Sequence, residues 1–331
     1  MFKWVPCRGP SAEAVERMRA HFPKPSEPMG EAWFLSEERY FHTWLAETPV
    51  AEADAGKLIH CLFEIASGTG SFGRMEDWEA WFRYMLPDLI LRGHEHHAFE
   101  TLLEPTVTAF MVLFPGPPDG EYAGFREDAL AALGACLMGP EMWENCDAAA
   151  SEAGAQPLGR FLKWEDEEGS VGLSGWDAGL ACQPMSASLF FCLKYLNEEE
   201  VEAWAESVFA IEDPYFRASL AVWLVGALDL LESGEARPRA ITKSSPRVEW
   251  HDSFLLESAY EGRDVNGAHY SVNDVRDFLP RANRAAFVRA VRRLLTTETL
   301  LAWADAFSED APLYENFYHV PDLLFDRLAK A

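Results

Sequence analysis

Apolar residues recur along most of this chain at the spacing of a helix rather than a strand. The clearest case follows Asn197: Glu198, Glu199 and Glu200 place acids in a first helical turn, Asn197 caps it with Glu200 at N3, and Val201, Trp204, Ala205 and Val208 share one face. This helix stops near Asp213-Pro214, where an N-cap Asp and a proline suited to the first helical position start another running to about Glu232. So short a link predicts that the two pack antiparallel. Similar starts lie at Ser11, Ser36 and Ser271, the last as a capping-box variant with Asp274. The apolar period returns over 54–66, 75–92, 98–114, 121–138, 184–196, 283–295, 297–307 and 315–329. Strand signals reduce to Val171 to Leu173 and Ala240 to Thr242, neither with a partner at hairpin distance. The pattern predicts an all-α fold of roughly a dozen or more helices, an array of antiparallel helix hairpins.

Two of these segments are alike. Phe125-Arg126 through Leu137 and Phe216-Arg217 through Leu228 share an aromatic-Arg start, small residues along one seam and a late glycine, Gly134 and Gly226. Both resemble the second helix of HEAT repeats, and Asp213-Pro214 ahead of the second adds to the likeness. Their Arg126 to Arg217 spacing of 91 residues is near two units of the roughly 40–47 residues such repeats take. The resemblance covers 125–137 and 213–228. It implies architecture alone, an irregular HEAT-like α-solenoid, because such arrays carry no catalytic residues to transfer. Residues 233–249, basic and rich in Ser and Pro, read as a linker between a body of residues 1–232 and a C-terminal part of residues 250–331, packed together as one continuous array.

Composition supports a folded chain: 49% of its 331 residues are hydrophobic and 13% aromatic, enough to bury a large core and exclude intrinsic disorder. The segment Met1 to Arg8 lacks the apolar core of a signal peptide, and the apolar run Ala218 to Leu228 is short for a membrane span, so a soluble cytoplasmic protein is expected. Six cysteines form no C-x-x-C pair and four of them sit inside apolar helical patterns, which predicts reduced thiols.

Charge changes the picture most. There are 54 acidic and 28 basic residues, a net charge of -26. Residues 237–293 hold 11 basic and 7 acidic groups, so the acidic excess lies wholly outside that stretch. An acidic body repels phosphate backbones, which excludes general nucleic-acid binding and favours a cationic partner.

Candidate chemistry is sparse. Gly68-Thr-Gly70-Ser-Phe-Gly73 fits G-x-G-x-x-G, yet the segment feeding it, with Leu58, Cys61, Leu62 and Ile65 on one face, reads as a helix and not a strand. It is expected to be a helix-helix loop. His94, His96 and His97, beside Glu95, form the densest metal-capable cluster. Read as a helix, His94 and His97 share a face, while H-E-x-x-H fails at Ala98. A solvated helix start is the alternative. Arg289, Arg292 and Arg293 project opposite the apolar arc of Phe287, Val288, Val291, Leu294 and Leu295. They are candidates for an anion or for contact with acids of this chain or a second copy. The acid run Glu165, Asp166, Glu167 and Glu168 is a candidate contact for a basic protein.

No cofactor motif survives. The expected function is non-enzymatic protein binding through an acidic surface, for instance neutralisation of a basic partner in the manner of an immunity protein. A homo-oligomer remains compatible, and no membrane or nucleic-acid partner is expected. The alternatives are a metal-dependent enzyme built around His94, His96 and His97, and an anion-binding helical domain using Arg289, Arg292 and Arg293.

Overall fold

The computed structural model describes residues 1–29, 42–68, 75–97, 100–146, 160–161, 163–165, 171–173, 182–234, 236–258, 261–263, 269–271 and 278–329. Among the described residues helix far outweighs strand, an all-α fold as the apolar period predicts. The first half contains α1 (Ala12–His21), α2 (Ala55–Gly68), α3 (Met75–Leu91), α4 (Leu103–Leu113) and α5 (Phe125–Ala132). The second contains α6 (Gln183–Tyr195), α7 (Glu198–Phe209), α8 (Pro214–Glu232), the single turns α9 (Pro238–Ile241) and α10 (Leu255–Ser258), then α11 (Arg281–Leu294), α12 (Thr297–Ser308), α13 (Ala311–Phe317) and α14 (Val320–Ala329).

Short strands pair as four antiparallel ribbons. They are β1 (His96–His97) with β2 (Glu100–Thr101), β3 (Trp143–Glu144) with β4 (Arg160–Phe161), β5 (Lys163–Glu165) with β6 (Val171–Leu173), and β7 (Glu261–Arg263) with β8 (His269–Ser271). Val171 to Leu173 therefore does have a partner, at Lys163 to Glu165, contrary to expectation. The other strand candidate is mostly helical, since α9 takes Ala240 and Ile241. Ser271 closes β8, and the helix start expected after it falls on residues outside the described ones, as does Ser36.

Local signals account for the helix boundaries. Ser11 caps α1 by accepting from Ala14 N, and Asn197 with Glu200 forms the capping box of α7. Asp213 accepts from Phe216 N at 2.8 Å ahead of Pro214 in α8. Packing overrides the predicted order. Although α7 and α8 are joined by a short link, α7 lies mainly against α11, and α8 against α14, α11 and α12. Apolar residues surround α8, so its neighbours come from distant sequence and need not be the preceding helix.

The core centres on α4, α6 and α8. Every residue of α4 is buried, and it packs on α2, α3 and α6. Helix α8 is long and apolar enough to cross a membrane by length and composition, and its apolar window is 83% buried inside the fold. Trp4, Trp78, Trp81, Trp204, Trp223, Trp250 and Trp303 are buried, each as core filling.

The segment 233–249 belongs to this core. Ala236, Ile241 and Val248 are buried, Ser186 donates to the Val248 carbonyl, and a Cβ on Gly226 would collide with the Pro246 carbonyl. Glycine is required in α8 at that crossing, because the 233–249 backbone lies directly on it.

Cys7 and Cys146 form a disulfide with a Cα–Cα distance of 5.5 Å, which corrects the expectation of reduced thiols at those two positions. Cys61, Cys136, Cys182 and Cys192 are free and buried. The two bonded cysteines are the pair outside the apolar helical patterns.

Candidate functional site

The arginines of α11 face glutamates. Arg289 Nε lies 3.2 Å from Glu202 Oε1, Arg293 Nη2 2.8 Å from Glu206 Oε1, and Arg292 Nη2 2.7 Å from Glu232 Oε1. Those acids sit on α7 and at the end of α8, so the basic face is engaged by the body across the α7–α11 packing. On the inner face, buried Arg284 donates to the carbonyls of Leu279, Leu231 and Ser233, and Asn283 donates to those of Leu193 and Leu196. Of the acid run, Glu165 lies in β5 and Asp166, Glu167 and Glu168 fall outside the described residues.

The histidine cluster is not helical. His94 sits in a turn, while His96 and His97 form β1, where successive side chains alternate sides. Glycine 93 and the Arg92 turn break the helical pattern: Arg92 donates to Glu95 and to the Val50 and Ala53 carbonyls, which folds the chain back into the β1–β2 ribbon. Burial, with the nearby His94, lowers the pKa of His96.

His97 instead lines an open pocket of about 300 Å³ with His42, Trp44, Asp54, Gly56, Lys57 and His60. Asp54 accepts from Lys57 N at 3.1 Å at the start of α2. The His97 ring covers Gly56, where a Cβ would meet it. His42 and His60 rings lie 5.6 Å apart, and burial, reinforced by His60, holds the His42 pKa down to about 4.

A second group includes a residue of this ribbon. His97 pairs across the strands with Glu100. Glu100, His251 and Asp252 each offer one donor atom, and these atoms lie within 4.8 Å of one another; among the described residues this is the His, Cys, Asp and Glu group with metal-site spacing.

Both sides are rigidly mounted. Leu102 N donates to the Glu95 carbonyl at 3.0 Å and Leu103 N to that of Gly93 at 3.2 Å, which fixes β2 to the start of α4. Trp250 Nε1 donates to Thr108 Oγ1 at 2.7 Å, which anchors the His251 turn to α4. Glu104, fully buried next to Glu100, accepts from Thr101 N and Oγ1, and burial pushes its pKa up to about 7 against those hydrogen bonds. The contact with Asp252, then that with Glu100, raises the His251 pKa to about 10.

Sequence reading missed this group because Glu100 and His251 are 151 positions apart and neither belongs to a motif. The one visible signal is a His-Asp pair following a tryptophan in a polar turn.

The third feature is at the C-terminal end. Of the eight large hydrophobic side chains exposed among the described residues, five, Leu301, Tyr314, Tyr318, Leu323 and Phe325, lie on α12–α14 or directly between them, and Met1, Leu91 and Phe254 lie elsewhere. Tyr314 and Tyr318 rings are 5.4 Å apart. Residues 297–329 also hold seven acids and a single arginine. No family model, curated protein or solved structure matches this chain. Fold and surface together define an acidic all-α protein.

Proposed function

We propose that this protein is a non-enzymatic binding module for a basic protein and that α12–α14 form the principal contact. The observation that carries the reading is the coincidence of Leu301, Tyr314, Tyr318, Leu323 and Phe325, all exposed, with a run of seven acids against one arginine. Exposed aromatic and aliphatic side chains supply contact area, and a surrounding field of one sign selects a cationic partner and accelerates its approach. Burying acids against apolar partners is costly, so a neutral or acidic protein is a poor occupant. Neutralisation of a basic protein is one concrete form of this activity.

Photo-crosslinking tests it. A benzoylphenylalanine at position 318 of the full chain, irradiated in the source cell, is expected to capture a protein of high isoelectric point identified by mass spectrometry. Position 16 serves as an exposed control. The purified pair should bind directly, weaken as NaCl rises, and lose affinity in a Tyr314→Ser, Tyr318→Ser variant. An acidic adduct, no adduct, or salt-independent binding would overturn the proposal.

A further inference from the structure

We infer that Glu100, His251 and Asp252 form a binding site for a divalent first-row transition-metal ion. His251 Nδ1 lies 3.0 Å from Glu100 Oε2 and 3.0 Å from Asp252 Oδ1. One imidazole nitrogen carries at most one hydrogen and donates in one direction, so it cannot satisfy both oxygens. The hydrogen bond goes to Asp252. Glu100 Oε2, on a side chain only 10% exposed, then accepts no hydrogen bond although it points at the same nitrogen. Asp252 Oδ2 and the neighbouring Ser253 Oγ are likewise buried without a hydrogen-bond partner. The His251 ring offers these carboxylates one proton, through one hydrogen bond, and a metal ion that takes the place of that proton on Nδ1 would engage both carboxylates at once.

Spacing and chemistry agree with that reading. Metal bonds of about 2.0–2.1 Å put neighbouring ligands of an octahedral shell about 3.0 Å apart, which matches both distances to Nδ1. One imidazole with two carboxylates suits zinc or manganese better than calcium, which takes oxygen ligands almost exclusively. Two carboxylates also balance the charge of a divalent ion.

The site has an entrance, because the His251 side chain is 54% exposed while both carboxylates are buried. Three protein ligands leave coordination positions for water or another small donor, the arrangement of an open site rather than a closed structural one. None of His94, His96 and His97 belongs to the group, so this site is distinct from the cluster that the sequence suggests.

The test uses the full chain, purified without a polyhistidine tag and stripped with a chelator. Manganese chloride is titrated in while the electron paramagnetic resonance of the free ion is followed, and zinc chloride then competes. One saturable equivalent is expected. Glu100→Gln and His251→Gln should each weaken it at least about 10-fold, with helical circular dichroism unchanged, whereas His60→Gln and His97→Gln should leave it intact. If Glu100→Gln fails to fold, His251→Gln decides alone, because its ring is half exposed. Absence of saturable binding, survival of binding in His251→Gln, or its loss in the pocket variants instead would overturn the inference.

Discussion

Helix α11 and the three helices after it are neighbours in the chain and opposites in how their charge is settled. The α11 arginines have partners inside the molecule: Arg284 reaches three backbone carbonyls, and Arg289, Arg292 and Arg293 reach glutamates of α7 and α8. On α12–α14, Asp310 accepts from Tyr215 and caps α13, and Arg327 pairs with Asp229. Glu298, Asp305, Glu309, Glu315, Asp322 and Asp326 make no ion pair among the described residues. The lesson is that net charge alone does not tell which charges are already paired inside the molecule. The basic helix is conspicuous in sequence because it stands out from an acidic chain, yet its charge is used internally, whereas the acidic end keeps its charge available.

The sharpest way to break this comparison is Arg284→Met. Removing the guanidinium strands the carbonyls of Leu231, Ser233 and Leu279 in the interior, so a loss of about 3–5 kcal/mol in urea unfolding is expected. A change near zero would mean that the inner face of α11 holds no structural charge.

Lys194 extends the same logic to the chain entering α11. Its Nζ donates to the Pro115 and Phe278 carbonyls at 2.8 Å each and lies 4.0 Å from the Phe278 ring centroid. Burial still pushes its pKa from 10.5 down to about 7. Between those values the unfolded chain binds more protons than the folded one, so stability rises with pH from about 7 to about 10.5, at most about 1.4 kcal/mol per pH unit. Below pH 7 the cost of the buried charge is present in full. Lys194→Met should flatten this slope in thermal melts recorded across the window, and an unchanged slope would assign it to other groups.

How much of this contrast was legible follows from the range of the interactions. Caps and apolar periods act within one or two turns, so Ser11, Asn197 and Asp213 announce their helices correctly. The mistakes share a longer range. Val171 to Leu173 pairs with Lys163 to Glu165, and α7 finds its main partner in α11 rather than in the next helix. The candidate metal group is the extreme case, with two elements distant in sequence that both pack against α2 and α4. Arg289, Arg292 and Arg293 were visible as one helical face. Their glutamate partners were not, because nothing local couples residues 202, 206 and 232 to that face. The exposed apolar positions of α12–α14 were hidden in the same apolar period that makes those helices recognisable.

On the outer face of α11 the expected effects are smaller. Arg289→Gln, Arg292→Gln and Arg293→Gln together remove pairs whose side chains are 33–58% exposed, and solvent screens such pairs strongly. The combined loss should be about 1 kcal/mol, shrinking further in 0.5 M NaCl. A loss as large as that of Arg284→Met would erase the distinction between the two faces.

The smallest stability effect should come from the acidic end. Leu301→Ser, Tyr318→Ser and Phe325→Ser replace side chains that are 61%, 56% and 47% exposed, and surface changes of this kind usually stay within about 0.5 kcal/mol each. Added salt should act in the opposite sense to its effect on the α11 pairs, stabilising α12–α14 by screening the mutual repulsion of their acids. Differential hydrogen exchange of these helices between low and high NaCl would show this as slower exchange at high salt. If the three substitutions instead unfold α12–α14, those side chains hold the end of the molecule together, and the contrast between an internally settled helix and an available surface fails.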